Sequence, residues 1–204
     1  MEIKRDSRQV PSIEKICASK QYNDILYAYL QVIAEKVVDE EGRILRLLSK
    51  KKVKFVKLAE KLGLTRQTVS KKFKNLYDLD LIVEFDDEYY QIVELTRDKA
   101  TLVPYHTLKT MVDTLNDNCV SIYVCLLNWY YMNGCKPFKF TLDQLKTFVG
   151  LSTGTRNNND IITNILFVLQ KLGLIKYSMG AVSQEEFNHI KTIYQIDEIF
   201  NEIK

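Results

Sequence analysis

Apolar positions along this chain fall into short helical registers broken by polar turns, and the pattern then recurs. Phe55, Leu58, Ala59 and Leu62 sit at i, i+3, i+4 and i+7, one apolar stripe on a short helix. Gly63 follows where a left-handed backbone ends a helix at little cost, and Leu64 returns to the core. Thr65 is placed to cap a second helix, whose inner face is Val69, Phe73 and Leu76. Its opposite face is Gln67, Ser70, Lys71 and Lys74, with Arg66 in the first turn. Two runs rich in Val, Ile, Tyr and Phe come next, Asp78–Phe85 and Tyr89–Leu95, on either side of Asp86-Asp87-Glu88. That arrangement predicts a hairpin. Upstream, a first long helix is expected over about Asn23–Val37.

The spacing over Phe55–Tyr77 resembles the helix-turn-helix family. Ala59 is the small residue that lets the two helices approach, Gly63 makes the turn and Val69 packs behind the second helix. The resemblance implies a recognition helix, held on one apolar side and offering donors to DNA on the other. Arg66, Gln67 and Ser70 would then reach base edges, and Lys71, Lys72 and Lys74 would reach phosphates. Thr65 and Thr68, at the helix start, belong to the same expected surface. A hairpin directly after such a helix is a wing. Its tip is acidic, whereas wings that grip a minor groove carry Arg or Lys. A second contact is therefore expected from Lys50, Lys51, Lys52 and Lys54, just ahead of the motif.

Charge sharpens this picture. Between Glu41 and Leu76 there are twelve basic residues and two acidic ones, so the remainder of the chain is net negative although the whole carries only +3. Such asymmetry points to a polyanion met by one part of the fold. The competing reading is a solvated lysine face.

The unit recurs. Leu58-Ala59 through Thr65 parallels Leu145-Lys146 through Ser152, and Leu79-Asp80-Leu81-Ile82 parallels Leu172-Gly173-Leu174-Ile175. Tyr90-Gln91-Ile92 parallels Tyr194-Gln195-Ile196, and Ile25–Leu30 echoes Ile122–Leu127. The expected fold is mainly α with small β wings, an α+β chain of two tandem winged helix-turn-helix domains over 1–100 and 101–204. The seam lies at Thr96–Pro104, with a short helix at Tyr105–Leu115.

In the second copy a polar stretch, Ser152–Asp160, is expected to form an enlarged turn ahead of an apolar helix at Ile161–Leu172. Arg156, Asn157 and Asn158 are candidate DNA contacts, because asparagine pairs bidentately with adenine. Asparagine also simply suits turns, and the two readings stand side by side. The second wing runs from Met179 to about Lys191, and Ser183-Gln184-Glu185-Glu186 fits a capping box for a helix at 184–191.

Other chemistry is sparse. Cys17, Cys119, Cys125 and Cys135 lack metal-ligand spacing and read as reduced thiols. His106 and His189 are isolated, and there is no phosphate loop or nucleophile elbow. The N-terminus lacks a secretory signal, and the apolar run Val120–Met132 is too short to span a bilayer. Trp129-Tyr130-Tyr131 is read as core or dimer surface in preference to a base-stacking platform. No enzyme, cofactor or metal is expected, and the protein is placed in the cytoplasm. The tandem arrangement resembles plasmid and phage replication initiators, with DnaD-like primosome proteins, and also transcriptional regulators, in low-GC Gram-positive bacteria. That resemblance implies sequence-specific duplex DNA as partner, with a homodimer as default. The alternative is a protein-interaction module with only weak DNA binding.

Overall fold

The computed structural model describes residues 7–11, 24–95, 100–185 and 189–200. The seam residues 96–99, Asn23, Cys17 and Glu186 lie outside them. The chain forms two compact units, Met1–Asp117 and Asn118–Lys204. The division falls later than the 100/101 boundary read from the sequence, because β6 (Ala100–Pro104) pairs antiparallel with β1 (Ser7–Pro11) and α4 (Tyr105–Thr114) packs on α1 (Asp24–Ile33).

In the first unit α1 stops at Ile33, short of the expected Val37, and Glu35–Val38 is a strand, β2. The bond from Ala34 N to Leu30 O, 3.0 Å, closes the last turn. The β-branched pair Val37-Val38 then finds ladder partners in β3 (Ile44–Ser49), which sequence periodicity did not separate from the preceding helix. The helix-turn-helix stands as expected: α2 (Phe55–Leu62) and α3 (Arg66–Asp78). β4 (Ile82–Glu84) and β5 (Tyr89–Ile92) form the wing, and β5 also pairs with β3, giving the order β2-β3-β5-β4. The core gathers Leu26, Tyr27 and Leu30 of α1, Leu48 of β3, Leu58 and Ala59 of α2, Val69, Phe73 and Leu76 of α3, and Ile82 and Ile92 of the wing. The Phe73 ring lies 5.4 Å from both Phe55 and Tyr90, so one aromatic joins both helices of the motif to the wing.

The second unit runs α5 (Asp117–Met132), β7 (Phe138–Thr141), α6 (Leu142–Phe148), α7 (Arg156–Lys171), β8 (Ile175–Glu185) and β9 (His189–Ile199), with sheet order β7-β9-β8. Two expectations change here. α7 begins at Arg156 rather than Ile161, so the asparagines lie in its first turn and not in a loop. The capping-box helix at 184–191 is absent from the described residues, since Ser183, Gln184 and Glu185 pair with Lys191, Ile190 and His189 in an antiparallel ladder. A long strand ladder outcompetes a short helix with a good cap. Trp129 packs edge-on against Phe138 and Phe148, ring centres 6.2 and 6.1 Å away, within its own unit.

The duplication is visible in the hydrogen bonds. After the first helix of each motif, Leu64 N donates to Ala59 O at 2.9 Å and Leu151 N to Lys146 O at 2.8 Å. After the second, Leu81 N donates to Leu76 O at 3.0 Å and Leu174 N to Leu169 O at 2.9 Å. The intervening left-handed residue is Gly173 in the second unit but Asp80, at φ 54°, in the first.

Candidate nucleic-acid interface

Three features set the direction of α3. Gly63 adopts φ 63°, which only glycine takes without strain. The Thr65 hydroxyl caps the helix by accepting from Thr68 N at 3.1 Å, and its oxygen lies 2.8 Å from the Thr68 hydroxyl. Burial of Val69, Phe73 and Leu76 then fixes rotation. At 3.6 residues per turn, positions 67, 71, 74 and 78 share the opposite side. Gln67, Ser70, Lys71 and Lys74 are exposed on or beside that side, Arg66 is exposed at the helix start, and none has a hydrogen-bond or ion-pair partner among the described residues. Thr65 and Thr68, expected to be contacts, are committed to the cap. The sequence reading missed Asp78, which ends the same face with a negative charge.

Lys72 is a correction. It turns off that face, is half-buried and lies 3.4 Å from Asp117, whose carboxylate also accepts from Ile25 N at 3.3 Å. It braces α3 rather than presenting charge outward.

The lysines ahead of the motif are corrected too. Lys50 pairs with Glu84 at 3.2 Å, Lys51 with Glu88 at 3.6 Å and Lys52 with Glu35 at 2.7 Å. Burial alone would lower the Lys50 ammonium's pKa, but the Glu84 hydrogen bond and charge, with Tyr90 and Asp87, outweigh it and the net shift is upward. The acidic wing is thus the counter-charge to Lys50 and Lys51, and Glu35 of β2 that to Lys52. Asp86 instead shapes the tip, where its carboxylate accepts from Glu88 N and Tyr89 N, both at 2.7 Å. Lys54 is exposed at the N-terminal end of α2, with no carboxylate partner among the described residues.

Ion pairing therefore sorts eleven of the twelve basic residues, Arg46 of β3 aside. Arg43 pairs with Asp39 and Glu41, Lys61 with Asp113, and Lys50, Lys51, Lys52 and Lys72 as above. Lys54, Lys57, Arg66, Lys71 and Lys74, all on or at the start of the helix-turn-helix, are exposed without carboxylate partners among the described residues. Lys57 is an addition to the residues expected from the sequence. Its signal there is its exposed register position on α2.

In the second unit Arg156 and Asn157 are exposed at the start of α7. Asn158 is not available as expected: its amide donates to Ser152 O at 2.8 Å and ties down the turn. Lys146 stands where the first unit has Ala59. It is 1% exposed, and its ammonium reaches Thr153 O at 2.9 Å and Asp143 at 2.7 Å. A lysine stem thus fills the place of a methyl group and braces the enlarged turn from below. No His, Cys, Asp or Glu cluster among the described residues is arranged to hold a metal ion. No described helix is long and apolar enough to cross a membrane.

No protein-family model matches this chain, and no curated protein matches it in sequence. A solved structure described as "Crystal structure of Pi initiator protein in complex with iteron DNA" is similar at a TM-score of 0.48 and 14% identity, covering 98% of this chain and 100% of that one. A likeness at this distance bears no weight on the residues above.

Proposed function

We propose that this chain is a non-enzymatic, sequence-specific double-stranded DNA-binding protein whose first unit docks α3 in a major groove. The observation that carries this is the sorting of charge. The lysines ahead of the motif, with Lys61 and Lys72 within it, are held by carboxylates, while Lys54, Lys57, Arg66, Lys71 and Lys74 are exposed around Gln67 and Ser70. A merely solvated lysine surface has no reason to separate in this way. Arg66 and Gln67 supply base-edge donors near the helix N-terminus, and Lys71, Lys74, Lys54 and Lys57 supply phosphate contacts. The Asp78 end of α3 stands away from the backbone, and the wing's carboxylates neutralise Lys50 and Lys51 beside it. The tandem architecture favours a plasmid- or phage-borne role in replication initiation or transcriptional regulation, in the cytoplasm and as a two-fold dimer on inverted half-sites.

The test is binding-site selection from a random duplex library, followed by titration of alanine variants on the selected site. Arg66→Ala and Gln67→Ala should relax base preference, at about 1–3 kcal/mol each on the best site. Lys71→Ala and Lys74→Ala should weaken all duplexes alike. Failure to enrich any sequence would overturn the specific reading. Mapping enriched sites to an origin or a promoter separates the two processes.

A further inference from the structure

The second helices of the two motifs present different faces. That of α3 is cationic. That of α7 is mixed, and one flank of it is amide and aliphatic. Positions 157, 161, 164 and 168 advance by four, three and four residues and so run along one side of a helix. Asn157 and Asn164 are exposed there, and neither amide has a hydrogen-bond partner among the described residues. Ile161 and Val168 between and beyond them are 39% and 37% exposed, while Ile162, Ile165, Leu166 and Leu169 hold the buried side. The adjoining exposed row is Asp160, Phe167 and Lys171, with the Lys171 ammonium 5.3 Å over the Phe167 ring.

A stripe of alternating carboxamides and branched aliphatics calls for a partner that alternates paired donor–acceptor edges with methyl groups. In the major groove an A·T pair offers both: adenine N7 and N6 match a carboxamide, and the thymine C5-methyl matches an aliphatic side chain. The charge agrees with a polyanion. Arg156 is exposed at the helix start, Lys171 near its end, and Lys136, Lys139 and Lys176 are exposed in the same unit. Asp160, an acidic residue, stands on the adjoining row. Residues 157 to 168 rise about 16 Å along the axis, the length of about five base pairs.

Resting on the DNA-binding reading above, we propose that α7 reads A·T pairs, with Asn157 and Asn164 bonding adenine and Ile161 and Val168 contacting thymine methyls. The experiment uses the full chain and its library-selected duplex in two forms, with thymine or with uracil, which lacks the methyl. Uracil should weaken binding about fourfold per contacted position, the cost of one exposed methyl. This penalty should vanish in the Ile161→Ser/Val168→Ser variant. Asn164→Ala should lose about ten- to a hundredfold on A·T sites. Because the uracil change is made in the DNA, it leaves folding untouched. Tight binding with no uracil penalty and no loss in Asn164→Ala would overturn A·T reading by α7 while leaving the α3 contact standing. Absence of any duplex binding would overturn both. A changed sedimentation mass in the α7 variants, at unchanged DNA affinity, would assign the face to a protein partner and overturn the inference.

Discussion

Replacing Glu84 and Glu88 together by glutamine releases Lys50 and Lys51 from the wing. The pairs they leave are 3.2 and 3.6 Å long, with side-chain exposures of 27% and 60% for Lys50 and Glu84, and 84% and 66% for Lys51 and Glu88. Exposed pairs of this kind contribute about 0–1 kcal/mol each, so the double variant should unfold within about 2 kcal/mol of the parent. Lys50 keeps its place 5.0 Å over the Tyr90 ring. On DNA, each lysine that reaches a phosphate steepens the log–log salt dependence by about 0.9, so two add about 1.8. Between 50 and 200 mM salt that is an extra loss of roughly tenfold, starting from a tighter complex at low salt. Fluorescence anisotropy on one duplex at several salt concentrations reads both quantities. An unchanged slope in the folded variant would show that the β3–α2 turn does not face the duplex even when released, and the wing would lose its role as counter-charge.

The remaining predictions concern the scaffold. Asp80→Gly, which gives the first unit the residue its repeat uses at Gly173, should raise stability by about 0.5–1 kcal/mol in urea unfolding, because Asp80 sits at φ 54°. Lys146→Ala should cost about 2 kcal/mol and Lys146→Met about half that, since Met keeps the buried stem but loses the bond to Thr153 O. Hydrogen bonds from Lys109 and then Lys61 hold the Asp113 carboxyl below the ordinary aspartate range, so the folded state favours its charged form. That stabilisation is present at neutral pH and lost as the pH falls through and below that range. Asp113→Asn should therefore be less stable than the parent at about pH 7 and indistinguishable from it once the carboxyl is protonated, as thermal melts across the acid range will show.

The helix-turn-helix was legible because its signals are local. Stripe spacing, Gly63 and the Thr65 cap act within a few residues of each other, and α2, α3 and the wing fall where those signals put them. The repeat was legible for the same reason. β2, β3 and β7 were not, because a short strand is defined by the strands it pairs with and carries little periodicity of its own. The candidate site was legible in which residues are basic and illegible in which are free. Lys50 meets Glu84 across 34 positions and Lys72 meets Asp117 across 45, separations that no local pattern encodes. Asn158 was misjudged on a finer point. Its side chain closes a turn that the sequence had assigned to a loop running on to Asp160.

The placement of DNA on the exposed face of α3 is tested most directly by the salt dependence of duplex binding, parent chain against Lys71→Ala/Lys74→Ala. Both lysines are exposed, without partners among the described residues, and outside the core, so the variant should fold as the parent does. Steep salt dependence is expected in the parent, and a slope shallower by about 1.8 in the variant, on every duplex tested. Equal slopes for the two proteins, or binding by the parent that ignores salt, would contradict that placement.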